Sequence, residues 1–153
     1  MAGVNPIPDD YPRVTPYLCV GGAALAIEFY ATVLGALERM RLPSPEGRIG
    51  HAELAIGDGL VMLADEHPEI GFVGPKTIGG TPVTIHVYVE DVDDVFDRAL
   101  QNGATEIREL ADQFYGERSG QFEDPWGHRW HVSSRTEQLS AEEMARRAAE
   151  NPS

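Results

Sequence analysis

The chain has little cysteine, few cations and no long apolar run, and each shortage excludes a class of protein. The single cysteine, Cys19, cannot form a disulfide within the chain, so a reducing compartment is favoured and the cytoplasm is the expected location. Only 12 Lys and Arg residues accompany 25 Asp and Glu residues, and the net charge of -13 disfavours nucleic acid and membrane surfaces as partners. No apolar run approaches the roughly 18 residues of a transmembrane helix, and no signal peptide is predicted.

The remaining composition is typical of one folded domain. With 153 residues, of which 42% are hydrophobic, the chain is long enough to bury roughly 70% of its unfolded surface. Alternating apolar and polar residues predict strands, and apolar residues at every third or fourth position predict helices. The predicted order is a strand, a helix and three strands, occurring twice, with the two helices at 23–34 and 92–102. The predicted strands are 13–20, 36–42, 48–56, 60–65, 83–90, 104–109, 117–123 and 128–133.

The two halves of the chain repeat at a nearly constant offset. Thr15 and Thr84 begin paired strands 69 residues apart, and Gly35 and Gly103 end paired helices 68 residues apart. A single module of roughly 55 residues would bury too little surface alone, so two modules must pack together in one chain or across a dimer. The sequence therefore predicts an α+β fold made of two tandem βαβββ modules with mixed sheets.

The predicted organisation has three parts. Residues 1–12, which include three prolines, form an N-terminal arm, and residues 136–153 carry a C-terminal helix that begins at a capping box led by Ser140. A single domain at 13–135 lies between them. Its parts are module one at 13–65, a linker rich in glycine and proline at 66–82, and module two at 83–135.

Three segments of the chain resemble the vicinal oxygen chelate (VOC) superfamily, the glyoxalase, bleomycin-resistance and ring-cleaving dioxygenase group. They are IEFYATVLGA after the first strand, HVYVEDVDDVFDRALQNGA in module two, and FEDPWGHRWHV near its end. The segments RIGHAELAIGDGLVMLADE and DQFYGERSGQFEDPWGHRW are similar to the PhnB-like branch. The resemblance covers residues 13–135 and implies two half-cups around a cavity, each a curved sheet with its helix outside. It implies no single reaction, because the fold hosts isomerases, lyases, dioxygenases, thiol transferases and drug-binding proteins.

The resemblance also implies where a metal would bind, and the residues found there argue against one. Metal-dependent members use one position on the first strand and one on the last strand of each module. In this chain these positions are Thr15, Leu63, Thr84 and His131. Leucine has no lone pair and threonine is a poor ligand for borderline metals, so no cofactor is expected at these four positions.

A displaced metal site is the alternative. His86 lies two residues after Thr84 on the same strand face, and Glu53 lies on the corresponding face of module one. Together, His86, His131 and Glu53 would form a His, His and carboxylate set for a divalent Zn, Fe, Ni or Mn ion. Without a metal, His131 is the candidate catalytic residue, acting as a general base.

Strand alternation predicts which side chains line the cavity. Two apolar sets are expected to face the helices: Val14, Leu18 and Val20, and Val83, Ile85, Val87 and Val89. Trp130 is expected to belong to the core. The predicted ligand-binding residues are Thr15, Tyr17, His51, Glu53, Thr84, His86, Tyr88, Arg129 and His131. This lining suits an aromatic or amphiphilic small molecule that carries an anionic or carbonyl group.

Three functions are open at this point. The first is binding or sequestration of a small molecule, as in drug-resistance proteins, because a polar cavity is kept while the usual metal ligands are missing. The second is an isomerase, lyase or dioxygenase that uses the displaced metal or His131. The third is a structural or regulatory dimer with a vestigial cavity. A homodimer is expected, because half-cups and unpaired strand edges need a partner surface.

Overall fold

The structure is a computed structural model that describes residues 3–152. Residues 1, 2 and 153, which fall in the predicted arm and the predicted C-terminal segment, lie outside the described residues. The chain divides into two compact units, residues 1–77 and 78–153. The boundary falls inside the segment 66–82 that the sequence predicts to be a linker.

Unit one contains one βαβββ module. Its elements are β1 (Tyr17–Val20), α1 (Ala23–Leu34), β2 (Leu37–Pro43), a turn at Pro45–Gly47, β3 (Ile49–Ile56), β4 (Gly59–Asp65), a turn at Pro68–Ile70 and the short helix α2 (Pro75–Ile78), which crosses the boundary. The strand order in the sheet is β1-β4-β3-β2. Strands β1 and β4 run parallel, and the other two pairs are antiparallel.

Unit two repeats the module and adds a helix. Its elements are β5 (Thr84–Tyr88), α3 (Val92–Gln101), β6 (Thr105–Gln113), β7 (Glu117–Glu123), β8 (Arg129–Arg135) and α4 (Ala141–Glu150). The strand order is β5-β8-β7-β6, again with the first and last strands of the module parallel. The prediction of an α+β fold with two tandem βαβββ modules is therefore confirmed.

The helices begin and end at residues that satisfy exposed backbone groups. Gly35 ends α1 with a φ of 68°, a left-handed conformation that glycine adopts at no steric cost. Asp91 caps α3 by accepting a hydrogen bond of 3.1 Å from the Asp94 N–H. Ser140 caps α4 in the same way, accepting from the Glu143 N–H, as the capping box predicts.

Each sheet packs its apolar face against its own helix. In unit one, Leu18, Leu54 and Leu63 are buried on the face that α1 covers. In unit two, Phe122 and Trp130 are fully buried beside α3, so the prediction that Trp130 belongs to the core is confirmed. Such side chains contribute about 1.5–3 kcal/mol each when fully buried. Among residues 3–152, no helix has both the length and the apolar character that crossing a membrane requires.

The first strand of each module is shorter than predicted. Strand β1 begins at residue 17 rather than 13, and β5 begins at residue 84 rather than 83. Val14 and Val83, which were expected to face a helix, are instead 85% and 62% exposed. Pro16 accounts for the late start of β1, because proline has no N–H to donate to a neighbouring strand. Its carbonyl oxygen still accepts a hydrogen bond of 2.9 Å from the Met62 N–H.

Residues 66–75, which we call the strap, return across the start of the first sheet. Gly74 lies against β1, and a Cβ atom at this position would stand 2.7 Å from the carbonyl oxygen of Cys19. Only glycine allows this approach. Phe72 packs its ring edge-to-face on Tyr17, with 5.9 Å between ring centres. Part of the predicted linker is therefore built into unit one.

Candidate functional sites

A chain of hydrogen bonds crosses the first sheet on the face opposite α1. The Tyr17 hydroxyl lies 2.7 Å from His51 Nδ1, and His51 Nε2 lies 2.9 Å from Glu53 Oε2. The other carboxylate oxygen, Oε1, accepts a hydrogen bond of 2.7 Å from the Tyr11 hydroxyl. In a neutral imidazole this pattern assigns the ring proton to Nε2, because the Tyr17 hydroxyl donates to Nδ1. We call Tyr11, Tyr17, His51 and Glu53 the unit-one relay.

Strand register brings the relay together. Met62 on β4 pairs both with Tyr17 on β1 and with Glu53 on β3, so these three residues share one row and one face. His51 lies two residues before Glu53 and projects from the same face. Three predicted ligand-binding residues therefore contact one another directly, and Tyr11 joins them from the N-terminal arm.

Glu53 anchors the relay. Its exposed fraction is 4%, yet hydrogen bonds from His51 and Tyr11 hold the pKa of its carboxyl below the usual range, against the opposing effect of burial. Burial raises the pKa of Tyr17, and the hydrogen bond to Glu53 raises the pKa of Tyr11. The Arg39 guanidinium stands 4.9 Å from the ring centre of Tyr11. The relay therefore combines one buried carboxylate with two hydroxyls that keep their protons at neutral pH.

A pocket of about 370 Å³ opens beside Tyr17, within unit one. Its volume lies within the roughly 300–1,000 Å³ of small-molecule sites. Tyr17, Ile49 and Phe72 supply aromatic and aliphatic surface, and Ser44 and Arg48 supply polar groups. The pocket thus places the relay's tyrosine next to an apolar wall and a cation.

Arg48 is the cation of this pocket. Its Nη1 donates to the carbonyl oxygen of Glu66 at 3.3 Å, and its Nη2 lies 3.5 Å from the Glu46 carboxylate. Its Nε is buried and has no hydrogen-bond partner among the described residues. The two carboxylates that line the pocket make hydrogen bonds to other groups than Arg48. Asp65 accepts from three backbone N–H groups, and Glu66 accepts from the Thr77 hydroxyl. The Arg48 side chain is 41% exposed, so its positive charge can be reached by an anionic ligand group in the pocket.

The corresponding face of the second sheet carries two histidines side by side. Strand pairing places His86 opposite His131, and Gln121 opposite His131 on its other side. The two imidazole ring centres are 4.7 Å apart. His86 Nε2 lies 3.1 Å from Ser133 Oγ, and Gln121 Nε2 donates to His131 Nδ1 at 3.2 Å. Burial, and then the neighbouring His86, lower the pKa of His131, which favours a neutral ring that can accept a proton.

The other predicted residues of this sheet make more exposed contacts. Tyr88 is 63% exposed, and its hydroxyl donates to Glu117 Oε2 at 2.6 Å. Arg129 Nε lies 3.8 Å from the Glu123 carboxylate, and Thr84 is the exposed partner of Arg129 in the strand register. These residues lie on the same face as the two histidines but outside their hydrogen bonds.

The register corrects one position that the resemblance assigns to a metal ligand. Leu63 pairs with Leu18, is fully buried and faces the side that α1 covers. The residue of unit one that corresponds to His131 is Met62, because Met62 pairs with Tyr17 as His131 pairs with the first strand of its own module. The assignment of Leu63 to the metal position on the last strand of module one is therefore wrong.

This error comes from the two hairpins, whose glycines lie at different places. Gly59 is the first residue of β4 and pairs with Ile56, whereas Gly127 lies in the turn before β8. Leu63 and His131 each lie four residues after their hairpin glycine, yet they face opposite sides of their sheets because the two glycines differ in position. Thr15 is also misplaced by the sequence, because it precedes β1 rather than lying in it.

The residues at the four positions do not fit the divalent metal that the resemblance implies. Thr15 and Thr84 offer hydroxyls, Met62 offers a thioether, and only His131 offers an imidazole. In the displaced alternative, both oxygens of Glu53 already accept hydrogen bonds inside unit one. Between residues 3 and 152, no group of three or more His, Cys, Asp or Glu side chains is arranged to hold a metal ion.

Sequence reasoning missed Tyr11, Arg48 and Phe72. Tyr11 belongs to an arm without periodicity, and Phe72 belongs to a segment read as a linker. The only signal was composition, since an aromatic residue in an otherwise polar loop often packs on a nearby surface. No pattern in the sequence says which surface that is.

Comparison with known proteins identifies the family. Residues 12–132 match the family model described as Glyoxalase/Bleomycin resistance protein/Dioxygenase superfamily. The uncharacterized protein Mb0911c from Mycobacterium bovis is 42% identical over 136 residues, which cover 87% of this chain and 90% of that protein. Because the family model spans most of the chain, it tests the resemblance over both modules.

Solved structures share the fold. The protein PA1353 from Pseudomonas aeruginosa is 25% identical, with a TM-score of 0.69 over 82% of this chain and 99% of that one. A PhnB protein from Bacillus cereus is 19% identical, with a TM-score of 0.65 over 80% of this chain and 99% of that one, and this likeness concerns the fold alone. The predicted resemblance is confirmed, and the chain belongs to the Glyoxalase/Bleomycin resistance protein/Dioxygenase superfamily.

Proposed function

We propose that the protein binds a small aromatic or amphiphilic molecule that carries a carboxylate. The observation that carries this proposal is the pocket of about 370 Å³ in unit one, bordered by Tyr17, Phe72 and Arg48. A binding or sequestering role of the drug-resistance type suits a family member whose usual metal positions hold two threonines and a methionine. The pocket needs no metal to recognise such a ligand.

The pocket walls match the two ends of this ligand. The rings of Tyr17 and Phe72, which meet edge-to-face, form an apolar corner against which an aromatic body can pack. Arg48 offers a guanidinium on the pocket wall, and a carboxylate is the group that a guanidinium binds most specifically. The ligand's carboxylate is therefore expected at Arg48 and its ring at Phe72.

A thermal-shift screen with aromatic carboxylates tests the proposal. Benzoate, phenylpyruvate and indole-3-acetate are compared with their neutral amides, because a ligand that binds only the folded state raises its stability by mass action. At a ligand concentration about 100 times Kd, the free energy of unfolding should rise by about 2.7 kcal/mol. At least one carboxylate should stabilise the protein more than its amide does.

Two variants locate the site. Arg48→Met should weaken carboxylate binding by about 10-fold or more while leaving amide binding unchanged, since it removes a charged hydrogen bond worth about 1.5–3 kcal/mol. Phe72→Ala should weaken both ligand series. If no compound of the screen stabilises the protein, or if both variants bind as the wild type does, the proposal is wrong.

Proton transfer by His131 is a second candidate function. Its support is the imidazole pair, in which burial and His86 lower the pKa of the half-buried His131 and Gln121 fixes the ring through Nδ1. Such a ring is suited to act as a general base near neutral pH. Deuterium exchange at the C3 methylene of phenylpyruvate, catalysed by the wild type and lost in His131→Gln, would favour this function over binding alone.

We also propose that the protein is a homodimer. The support is β2, an edge strand of the first sheet, in which Leu37 is 71% and Leu42 is 49% exposed. Exposed edges of this kind are usually covered in native proteins. Size-exclusion chromatography with light scattering should give about twice the chain mass of 16.7 kDa at micromolar concentration. A monomer would refute the proposal.

A further inference from the structure

The hydroxyl of Tyr17 has the surroundings of an activated nucleophile. It lies 2.7 Å from His51 Nδ1, and the opposite ring nitrogen lies 2.9 Å from the Glu53 carboxylate. A nucleophile within hydrogen-bond reach of a base, which a third group orients, is the arrangement that covalent catalysis by side chains requires. Tyr17 is 45% exposed and lines the pocket, whereas Glu53 is 4% exposed. The nucleophile is therefore accessible and the anchoring charge is sheltered.

We propose that Tyr17, His51 and Glu53 form an acyl-transfer site, with Tyr17 as nucleophile, His51 as general base and Glu53 as the residue that positions His51. The acyl group would enter through the pocket of unit one, so for substrate placement the inference rests on the proposed function. The substrate class is an ester of a phenol, whose ring would lie against Phe72. No metal takes part.

The reaction balances with groups that are present. Tyr17 Oη attacks the carbonyl carbon of the ester, and the hydroxyl proton passes to His51 Nδ1. The bond between the carbonyl carbon and the aryl oxygen breaks, and the phenolate leaves with the electron pair and takes the proton from His51. Water, deprotonated by His51, then attacks the acyl-tyrosine, releases the carboxylic acid and restores the Tyr17 hydroxyl.

Electrostatics support this division of roles. Hydrogen bonds keep the pKa of Glu53 low, so its carboxylate is ionised and stabilises the imidazolium that forms when His51 takes the proton. Burial raises the pKa of Tyr17, so the hydroxyl needs the adjacent base to react at neutral pH. Tyr11 donates to the second oxygen of Glu53 and fixes the carboxylate. Arg48, on the wall of the same pocket, provides positive charge for the developing oxyanion.

Tyr88 provides a reference tyrosine in the same molecule. It is more exposed than Tyr17, and its hydroxyl also has a close partner. That partner is the Glu117 carboxylate, at 2.6 Å, rather than an imidazole nitrogen. Exposure alone would therefore favour reaction at Tyr88, whereas the relay favours reaction at Tyr17.

Acylation by p-nitrophenyl acetate tests the inference on the full chain. Release of p-nitrophenolate is followed by absorbance, and the site of the acetyl group is mapped by peptide mass spectrometry. We expect a burst of one equivalent with the acetyl group on Tyr17 and little on Tyr88. Tyr17→Phe should lose the burst entirely. Tyr115→Phe, a tyrosine outside the relay and its pocket, should react as the wild type does.

Two further variants separate the base from its positioning residue. His51→Gln should slow the acetylation of Tyr17 by about 100-fold or more, the usual contribution of a general base. Glu53→Gln should also slow it at least 10-fold, and the ¹⁵N shifts of His51 should lose the Nε2-protonated pattern, which a merely structural role would not change. If His51→Gln does not fold, as judged by circular dichroism, Glu53→Gln carries the test.

The results also separate this inference from the binding proposal. Binding of a stabilising aromatic carboxylate such as benzoate is measured on the wild-type protein beside its acetylation, so that both functions are tested on the same folded chain. Ligand binding without any acetylation of Tyr17 in folded wild-type protein would overturn the acyl-transfer site and leave the binding function standing. Acetylation of Tyr17 at the same rate in His51→Gln and wild type would also overturn it. Acetylation with no ligand binding would refute the binding proposal instead.

Discussion

The two sheets place different chemistry at corresponding positions. The row that β1, β4 and β3 form in unit one has its counterpart in the row that β5, β8 and β7 form in unit two. The first row holds Tyr17, Met62 and Glu53, and the second holds His86, His131 and Gln121. The third position is thus a carboxylate in one unit and an amide in the other. A buried carboxylate polarises its histidine, whereas an amide only fixes the ring.

A second pair of corresponding residues, Asp65 and Ser134, shows a similar contrast between a charged and a neutral group at the start of each module's helix. Asp65, at the end of β4, accepts hydrogen bonds from the N–H groups of Gly22 and Ala23, at the start of α1, and of Ile49, on β3. In unit two, the Ser134 hydroxyl accepts a hydrogen bond from the Val92 N–H and donates one to the carbonyl oxygen of Val89, the residue after β5. Unit one therefore relies on a charged residue where unit two uses a hydroxyl, because Gly22 has no side chain to cap α1 while Asp91 caps α3 itself.

The largest expected effect is on stability and compares a core residue of unit two with its counterpart in unit one. Trp130 pairs with Phe122, as Val61 pairs with Leu54 in unit one, and the Trp130 Nε1 donates to buried Asp124 at 2.9 Å. Trp130→Ala should lower the free energy of unfolding by about 3–5 kcal/mol. Val61→Ala, which removes two methyl-sized groups, should cost about 1.5 kcal/mol. Urea denaturation measures both, and equal losses would contradict the larger dependence of unit two on its indole.

The second effect concerns the caps. Asp65→Ala leaves three backbone N–H groups without their acceptor and should cost about 2–3 kcal/mol. Ser134→Ala should cost about 1 kcal/mol, because Asp91 still caps α3. Thermal unfolding followed by circular dichroism compares the two. A larger loss in Ser134→Ala would show that the carboxylate is not what holds α1 to its sheet.

The third prediction uses acid to test the carboxylate of the first row. The folded-state pKa of Glu53 lies below its unfolded value of about 4.3, so its ionised form stabilises the fold above about pH 4.3. This stabilisation is lost as the pH falls through the folded pKa. Glu53→Gln should therefore narrow the difference in unfolding free energy between pH 6 and pH 3, measured by urea titration at each pH. An unchanged difference would contradict the role assigned to Glu53.

The smallest expected effect is the pH dependence of stability that His131, in the second row, contributes at higher pH than Glu53 does. Burial and His86 lower the pKa of His131, so the neutral ring stabilises the fold above about pH 6.5 and this contribution falls as the pH drops below that value. NMR titration should give His131 a pKa below 6.5, and His86→Ala should raise it by removing one like charge. A titration unaffected by His86→Ala would show that the ring contact carries no electrostatic coupling.

Sequence patterns predicted the elements well and the site in part. Helix α1 has the predicted bounds, since a stripe of apolar residues and Gly35 define both its face and its end. Strand β6 runs to Gln113 rather than 109, because no turn residue stops it and its pairing with β7 continues. Period-two alternation also predicts that Tyr17, His51 and Glu53 line the cavity face of the first sheet.

What the sequence did not predict depends on contacts between distant segments. Tyr11 reaches Glu53 across 42 residues, and Phe72 reaches Tyr17 across 55. Neither residue belongs to a periodic element, so no spacing rule could connect them to the sheet. The incorrect choice of Leu63 instead of Met62 has a different origin, since a shift of one residue moves a side chain to the opposite face of a strand.

The close approach of Gly74 to β1 makes the single thiol a reporter of local opening. Cys19 lies beneath the strap, 7% exposed, and burial, with Glu66 and Asp65 nearby, raises the pKa of its thiol to about 11. An alkylating reagent needs both access and thiolate, and the closed strap withholds both. The alkylation rate of Cys19 therefore measures how often residues 66–75 leave the sheet, and a ligand that occupies the pocket should slow it by holding the strap down.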